Sequence, residues 1–129
     1  MKYIKKLLIL GFHSANLILI TFYLYPGSIF GYILYRNSSI QPQLTRDFII
    51  SSNHLYAFIV LSTLGIVAYQ NTKKIKFIIV YLFFLSIILE LFHLIIPNRG
   101  FEMSDLFGNI VGVILVIFIY KIVIRYVKT

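Results

Sequence analysis

Residues 77–97 read FIIVYLFFLSIILELFHLIIP and contain one acidic residue, Glu90, among 21 positions. A helix rises about 1.5 Å per residue, so a segment of this length spans a hydrocarbon core of roughly 30 Å. Because lipid offers no hydrogen-bond partners to the backbone, such a segment must be helical. The stretch therefore predicts a transmembrane helix that carries a carboxylate within the membrane.

Three further runs have the same apolar character, at residues 7–25, 48–69 and 106–126. The chain has 129 residues, of which 60% are hydrophobic and 12% charged. Soluble domains contain about 45–50% apolar and about 25% charged residues, so the composition argues against disorder, a soluble enzyme or a soluble nucleic-acid module. We predict an all-α fold in which residues 1–129 form one domain, a four-helix transmembrane bundle.

The connecting segments are short and polar. Pro26 and Gly27 separate the first run from an apolar piece at 28–35, which is too short to cross a membrane and is expected to lie at its interface. Residues 36–47 read as a polar loop. The absence of cysteine excludes disulfides and thiolate metal sites.

The basic residues indicate how the spans are oriented, because Lys and Arg are retained on the cytoplasmic side. The chain has 12 of them against four acids, which gives a net charge of +8. We expect both termini to be cytoplasmic and the protein to lie in the cytoplasmic (inner) membrane. Since the bases are divided among short segments, we expect no nucleic-acid partner. The inner side would hold Lys2, Lys5, Lys6, Lys73, Lys74, Lys76, Lys121, Arg125 and Lys128, and the outer side Arg36, Arg46 and Arg99.

Polar residues inside the apolar runs converge on the outer third of the membrane. Glu90 lies roughly 10 Å below the outer end of its span, and His54 reaches a similar depth in the preceding one. A carboxylate in a membrane span is costly and usually has a function or a partner. Spacings of three or four residues place neighbours on shared helix faces. The predicted polar cluster, a candidate ligand-binding site, consists of His54, Glu90, His93, Arg99, Asp105 and Asn109.

Several interpretations of this cluster stay open at the level of sequence. Glu90 and Arg99 either recognise an envelope or lipid-linked group or form an ion pair that joins a helix to a loop. Glu90 with a histidine could serve general acid–base chemistry. A metal held by His54, His93 and Glu90 is chemically feasible, but we predict no metal and no cofactor. Asp105 and Asn109 are explained by helix-dipole complementation and interhelical hydrogen bonding.

Two other features concern packing. Gly108 and Gly112 are four residues apart, a spacing that lets transmembrane helices approach closely. Tyrosines near the predicted span ends are typical of interfacial belts. On that basis we expect interfacial positions for Tyr23, Tyr25, Tyr120 and Tyr126.

The spacing of the polar residues resembles the C-terminal signature of the VanZ-like family of small polytopic bacterial membrane proteins. His54 and Phe58 resemble the histidine and aromatic residue that open the second span of that family. The chain differs at His93, where the family usually has Gln, at Val116, where it has a small residue, and at Ile50 and Ser51, where it has an Asp-Lys pair. The positions in register with the signature are Glu90, a polar residue at His93, Pro97, Arg99, Asp105, Asn109 and Gly112.

The resemblance implies a four-helix membrane protein of the cell envelope, since the founding member is associated with low-level resistance to teicoplanin. Besides the bilayer, the implied partner is an envelope precursor or a membrane protein. The alternatives are an intramembrane acid–base enzyme acting on a lipid-linked substrate and a non-catalytic structural subunit.

The topology can be tested with a reporter protein fused after Lys76. We expect the reporter to be cytoplasmic, because Lys73, Lys74 and Lys76 form the basic segment between the second and third spans. Protease protection in right-side-out and inverted vesicles reports its side. An extracytoplasmic reporter would reverse the proposed orientation.

Overall fold

Five α-helices make up the described part of the chain, residues 2–127 of a computed structural model. No strand occurs among these residues. The all-α prediction is therefore confirmed. Lys128, one of the bases predicted on the inner side, lies outside the described residues. The helices are α1 (Lys2–Leu24), α2 (Ile29–Tyr35), α3 (Ser52–Tyr69), α4 (Ile75–Phe92) and α5 (Met103–Val127).

Four of the helices, α1, α3, α4 and α5, are long and apolar enough to cross a membrane. Much of their apolar surface points away from the helix bundle, as at Leu7, Phe77, Phe84 and Phe118, which are all exposed. Apolar surface of this extent requires lipid rather than water around it. The protein is thus a multi-pass membrane protein that resides in a lipid bilayer.

The third predicted span is longer than the helix that forms it. Helix α4 ends at Phe92, and the next residues continue as tight turns in which Leu94 N–H donates to Leu91 O at 3.1 Å and Ile95 N–H to Phe92 O at 3.0 Å. Pro97 disfavours helical backbone at the residue before it, which explains why the helix does not resume. The apolar residues 94–96 therefore belong to the loop that covers the polar cluster.

The second span begins later than predicted, at Ser52 instead of residue 48. The Asp47 carboxylate accepts a hydrogen bond from Ser52 N–H at 2.7 Å, so it satisfies a donor that the first helical turn leaves free. Phe48, which the hydropathy placed inside the span, is 95% exposed and lies before the helix. Capping by Asp47 places the start of α3 beyond it.

Helix α3 lies at the centre of the bundle, and its most extensive contact is with α5. The glycines of α5 allow this contact. A Cβ atom built on Gly108 would lie 2.7 Å from Ser51 O, and one built on Gly112 would lie 2.8 Å from Leu55 O. The two helix backbones therefore touch along one seam. Below it, Phe58 and Val113 are fully buried in the apolar core.

The bundle has two chemically different ends. The polar end is formed by the last turns of α1 and α4 and the first turns of α3 and α5. The basic end is formed by the start of α1, the α3–α4 turn and the end of α5, where Lys73 and Lys74 lie. Helix α2, seven residues long, follows α1 at the polar end and is capped by Ser28 Oγ, which accepts a hydrogen bond from Gly31 N–H at 2.9 Å.

The glycine seam can be tested with Gly112→Ala. The added methyl group would meet backbone of α3, so the helices must separate, and we expect a loss of about 1–3 kcal/mol in the free energy of unfolding. Gly11→Ala is the matched control, because a Cβ at Gly11 meets nothing within 4 Å. Reversible unfolding in detergent gives both values. Equal stabilities would show that close approach of α3 and α5 is not required.

Candidate functional site

The polar end buries a cluster of hydrogen-bonding side chains. Glu90 and Asn109 have no exposed surface, and His54 and His93 are buried as well. Asp105 is partly buried at the start of α5. Five of the six predicted residues thus lie together, contributed by α3, α4, α5 and the residue that ends α4. The sixth, Arg99, lies in the loop above them.

Asn109 sets the orientation of the cluster. Its side-chain N–H donates to the carbonyl oxygen of Ser86 at 3.2 Å, which turns Oδ1 toward α1 and α3. That oxygen accepts a hydrogen bond from the Tyr23 hydroxyl at 2.6 Å and lies 3.1 Å from His54 Nδ1. One buried amide therefore joins side chains from α1 and α3 to the backbone of α4.

The protonation of the His54 ring follows from these contacts. The single Tyr23 proton is donated to Asn109, and His54 Nδ1 lies 2.9 Å from the Tyr23 oxygen and faces the Asn109 oxygen. Because both of these oxygens act as acceptors toward the ring, Nδ1 carries the hydrogen. In the neutral ring, Nε2 then carries a lone pair that can bind a proton or another cation.

Asp105 is the group that His54 Nε2 meets. Its Oδ2 lies 3.3 Å from Nε2. An imidazole lone pair and a carboxylate oxygen repel each other at this distance unless a positive charge lies between them. The contact between His54 Nε2 and Asp105 Oδ2 therefore requires a shared proton or a cation.

Glu90 has one satisfied oxygen and one unsatisfied oxygen. Its Oε1 lies 3.2 Å from His93 Nδ1 and accepts a hydrogen bond from Glu102 N–H at 3.2 Å. Its Oε2 has no hydrogen-bond partner among the described residues and lies 3.8 Å from His54 Nδ1. A buried acceptor without a partner is rare and calls for an explanation.

His93 connects the end of α4 to α1. Its Nε2 donates to the Tyr23 carbonyl oxygen at 3.1 Å, since a carbonyl accepts only. Its ring stacks on that of Tyr23, with centroids 5.6 Å apart and planes 18° apart. The remaining nitrogen, Nδ1, faces Glu90 Oε1. Because a lone pair and a carboxylate oxygen are both acceptors, this contact also requires a proton.

A Glu90–Arg99 ion pair, one of the two interpretations that the sequence left open, is absent among residues 2–127. The Arg99 guanidinium donates instead to two backbone carbonyls at the end of α1, Phe22 O at 2.7 Å and Tyr25 O at 3.2 Å. The last carbonyls of a helix lack intrahelical donors and attract positive charge, which explains this choice. Partial burial lowers the pKa of Arg99, and neighbouring acidic groups oppose that shift.

Tyr23 is the site residue that sequence reasoning missed. We expected it at the membrane interface, but it is only 7% exposed, and its hydroxyl and ring contact Asn109, His54 and His93. Its position near the outer end of the first predicted span, the end at which the polar residues of the other spans converge, was the available signal. Tyr25, two residues later, is 38% exposed.

Three groups of the cluster are close enough together to be metal ligands. One donor atom each from His54, Glu90 and Asp105 lies within 4.8 Å of the other two. Asp105 takes the place that sequence reasoning gave to His93, whose Nε2 is bound to the Tyr23 carbonyl. The set therefore has one nitrogen and two carboxylate oxygens.

Two cavities meet at the polar end. A polar cavity of about 190 Å³ includes Ser38, Asn98, Glu102 and Asp105 in its wall. An apolar groove of about 620 Å³ runs between α1, α2 and α3 and is bounded in part by Ile18, Phe30, Leu34 and Val60. Ser28, Gln41, His93 and Arg99 line both cavities.

The sequence model of the VanZ/LLP1 family matches residues 9–124, which is most of the chain. The chain belongs to the VanZ/LLP1 family. In this VanZ/LLP1 protein the match covers α3 and α4 entirely, most of α1 and α5, and all six residues of the predicted cluster. The resemblance drawn from the sequence is thereby confirmed. No curated protein and no solved structure matches the chain.

The Tyr23 hydroxyl of this VanZ/LLP1 protein can be tested with Tyr23→Phe. The variant keeps the ring but withdraws a hydrogen bond from Asn109 and His54, so we expect unfolding to become easier by about 1–3 kcal/mol. Tyr25→Phe is the control, because its hydroxyl makes no hydrogen bond among the described residues and the residue is 38% exposed. Thermal unfolding in detergent compares the two, and identical midpoints would contradict a structural role for the Tyr23 hydroxyl.

Proposed function

We propose that this protein binds a lipid-linked precursor of the cell envelope at its polar end, and that this binding alters susceptibility to glycopeptides of the teicoplanin type. The observation that carries the proposal is the junction of a polar cavity with an apolar groove at His93 and Arg99. A molecule with a polar head and a long apolar chain fits such a junction. Envelope precursors carried on lipids have this form.

The apolar groove supports the placement of the chain. Its wall consists mainly of aliphatic and aromatic side chains, and its volume of about 620 Å³ lies within the range of roughly 300–1,000 Å³ typical of ligand sites. Phe30 of α2 packs edge-on against Phe22 of α1, with ring centroids 4.9 Å apart, and both residues line the groove. The chain of a bound precursor would lie against these side chains in place of the bilayer lipids that otherwise contact them.

The polar cavity supports the placement of the head. Arg99 uses Nε and one terminal nitrogen on the carbonyls of α1, and its other terminal nitrogen makes no hydrogen bond among the described residues. That nitrogen is a donor suited to a phosphate oxygen. Serine hydroxyls and the Asn98 amide in the same wall suit the hydroxyl groups of a sugar.

Acid–base catalysis on the same precursor is the second candidate. The contact that favours it is His54 Nε2 with Asp105 Oδ2 at 3.3 Å, because Asp105 also lines the polar cavity. A histidine held by a buried network and facing a carboxylate is the arrangement of a general base or acid. Conversion of the precursor by purified protein would favour this candidate over binding alone.

The proposal is tested by photo-crosslinking in native membranes from position 34, where Leu34 lines the groove. We expect capture of a lipid-linked precursor, identified by mass spectrometry, and about tenfold less capture in Arg99→Gln, which loses a charge-assisted hydrogen bond. Position 118 is the control, since Phe118 is similarly exposed on α5 but lies outside the groove wall.

Teicoplanin susceptibility of strains that carry Arg99→Gln or Glu90→Gln provides a physiological readout. A strain carrying Glu90→Gln is expected to lose the effect of this protein on teicoplanin susceptibility while the protein still accumulates. Equal capture at positions 34 and 118, or unchanged susceptibility in both variant strains, would contradict the proposal. Failure of Glu90→Gln to accumulate would favour a purely structural role for the cluster.

A further inference from the structure

We infer that His54, Glu90 and Asp105 form a three-ligand site for a divalent transition metal such as Zn²⁺. The inference does not rest on the proposed function, because it concerns only the donor atoms of the cluster. Imidazole nitrogen and carboxylate oxygen are the donors that zinc accepts besides thiolate. One atom from each of the three side chains lies within 4.8 Å of the others.

The orientation of the His54 ring is that of a metal ligand. Histidines that bind metals almost always donate their second ring N–H to an acceptor, which fixes the ring and raises the basicity of the free nitrogen. Here Nδ1–H is directed at Tyr23 and Asn109, and Asn109 is itself held by Ser86 O. Nε2 is left as the ligand atom, facing Asp105.

The distance between His54 and Asp105 fits a metal bound to both side chains. Zinc binds nitrogen and oxygen at about 2.0–2.2 Å, so two ligands of a tetrahedral ion lie roughly 3.3–3.5 Å apart. His54 Nε2 and Asp105 Oδ2 are 3.3 Å apart. A metal bound to both atoms removes their repulsion, so neither atom needs to carry a proton. The seam between α3 and α5 holds this separation.

The unsatisfied oxygen of Glu90 is a free ligand atom next to this pair. Oε2 is fully buried, makes no hydrogen bond among the described residues and belongs to the same group of three side chains. The other oxygen, Oε1, is held by His93 and Glu102 N–H, as expected of a carboxylate oriented by outer-shell contacts. Oε2 lies 3.8 Å from His54 Nδ1, so binding requires it to move toward the Nε2 edge of the ring, where Asp105 lies.

The charges of the ligand set point the same way. Among the described residues, the ion-pair contacts of Glu90 and Asp105 are with histidines. A divalent cation between the two carboxylates would offset their negative charge. Three protein ligands also leave a coordination position for water or a ligand head group. Asp105 lies in the wall of the polar cavity, which gives that position access from the loop side.

The test uses purified full-length protein in nanodiscs without added precursor, stripped with EDTA and titrated with Co²⁺ as a spectroscopic probe. We expect about one Co²⁺ per chain with the intense visible absorption of a four- or five-coordinate ion, displaced by Zn²⁺. His54→Gln and Asp105→Asn should abolish this absorption. Glu102→Gln and His93→Gln should retain it, because neither side chain belongs to the ligand set.

Two outcomes would overturn the inference. One is a wild-type spectrum of hydrated Co²⁺ only, in which case protons hold the His54–Asp105 and Glu90–His93 contacts. The other is absorption that survives Asp105→Asn but is lost in His93→Gln, which points to the ligand set of His54, His93 and Glu90.

If Asp105→Asn fails to fold, Asp105→His replaces it. Shifted absorption bands then support a metal ligand at position 105, and unchanged bands refute it. Lipid capture at position 34 is measured without added metal, so failures of the two proposals are distinguishable.

Discussion

The burial of the Glu90 carboxylate is the constraint on which the polar end depends. A carboxylate removed from water is destabilised by many kcal/mol unless it is neutralised or given hydrogen-bond donors. Helix α4 alone supplies none of these, because the Ser86 hydroxyl, one turn earlier, donates to Phe83 O and the residues between are aliphatic. The donors come from His93 and from Glu102 N–H, both beyond the end of the helix. The chain must therefore leave the helix after Phe92 and fold back over its own carboxylate.

The same constraint explains the role of Arg99. A cation next to a buried acid is the simplest expectation, yet the guanidinium lies on the exposed carbonyls that end α1. Helix ends in a membrane protein have the same need for partners as buried side chains do, since lipid supplies none. Arg99 thereby attaches the loop after α4 to the end of α1. It also keeps a cation near the acidic groups without pairing with any of them.

Most of the fold could be predicted from sequence because hydropathy alone determines which segments must be helical in lipid. The helix boundaries could not, since they depend on a cap from Asp47 and on the turns before Pro97. The buried polar residues were conspicuous against apolar neighbours. Tyr23 was not, because an aromatic residue near a span end is equally typical of an interface, and hydropathy does not say which face of α1 packs inward.

The glycine seam between α3 and α5 has a consequence for how the polar end responds to an arriving ligand. His54 and Asp105 are carried on two backbones in direct contact, so their separation is set by main chain and not by the torsions of long side chains. Little rotational entropy is then left to lose when a cation or head group is bound. The end of α1, joined to this pair through side-chain hydrogen bonds and one stacked ring, is the more compliant wall of the site. Accommodation of ligands of different size would accordingly fall to α1 and α2, while α3 and α5 act as the rigid template.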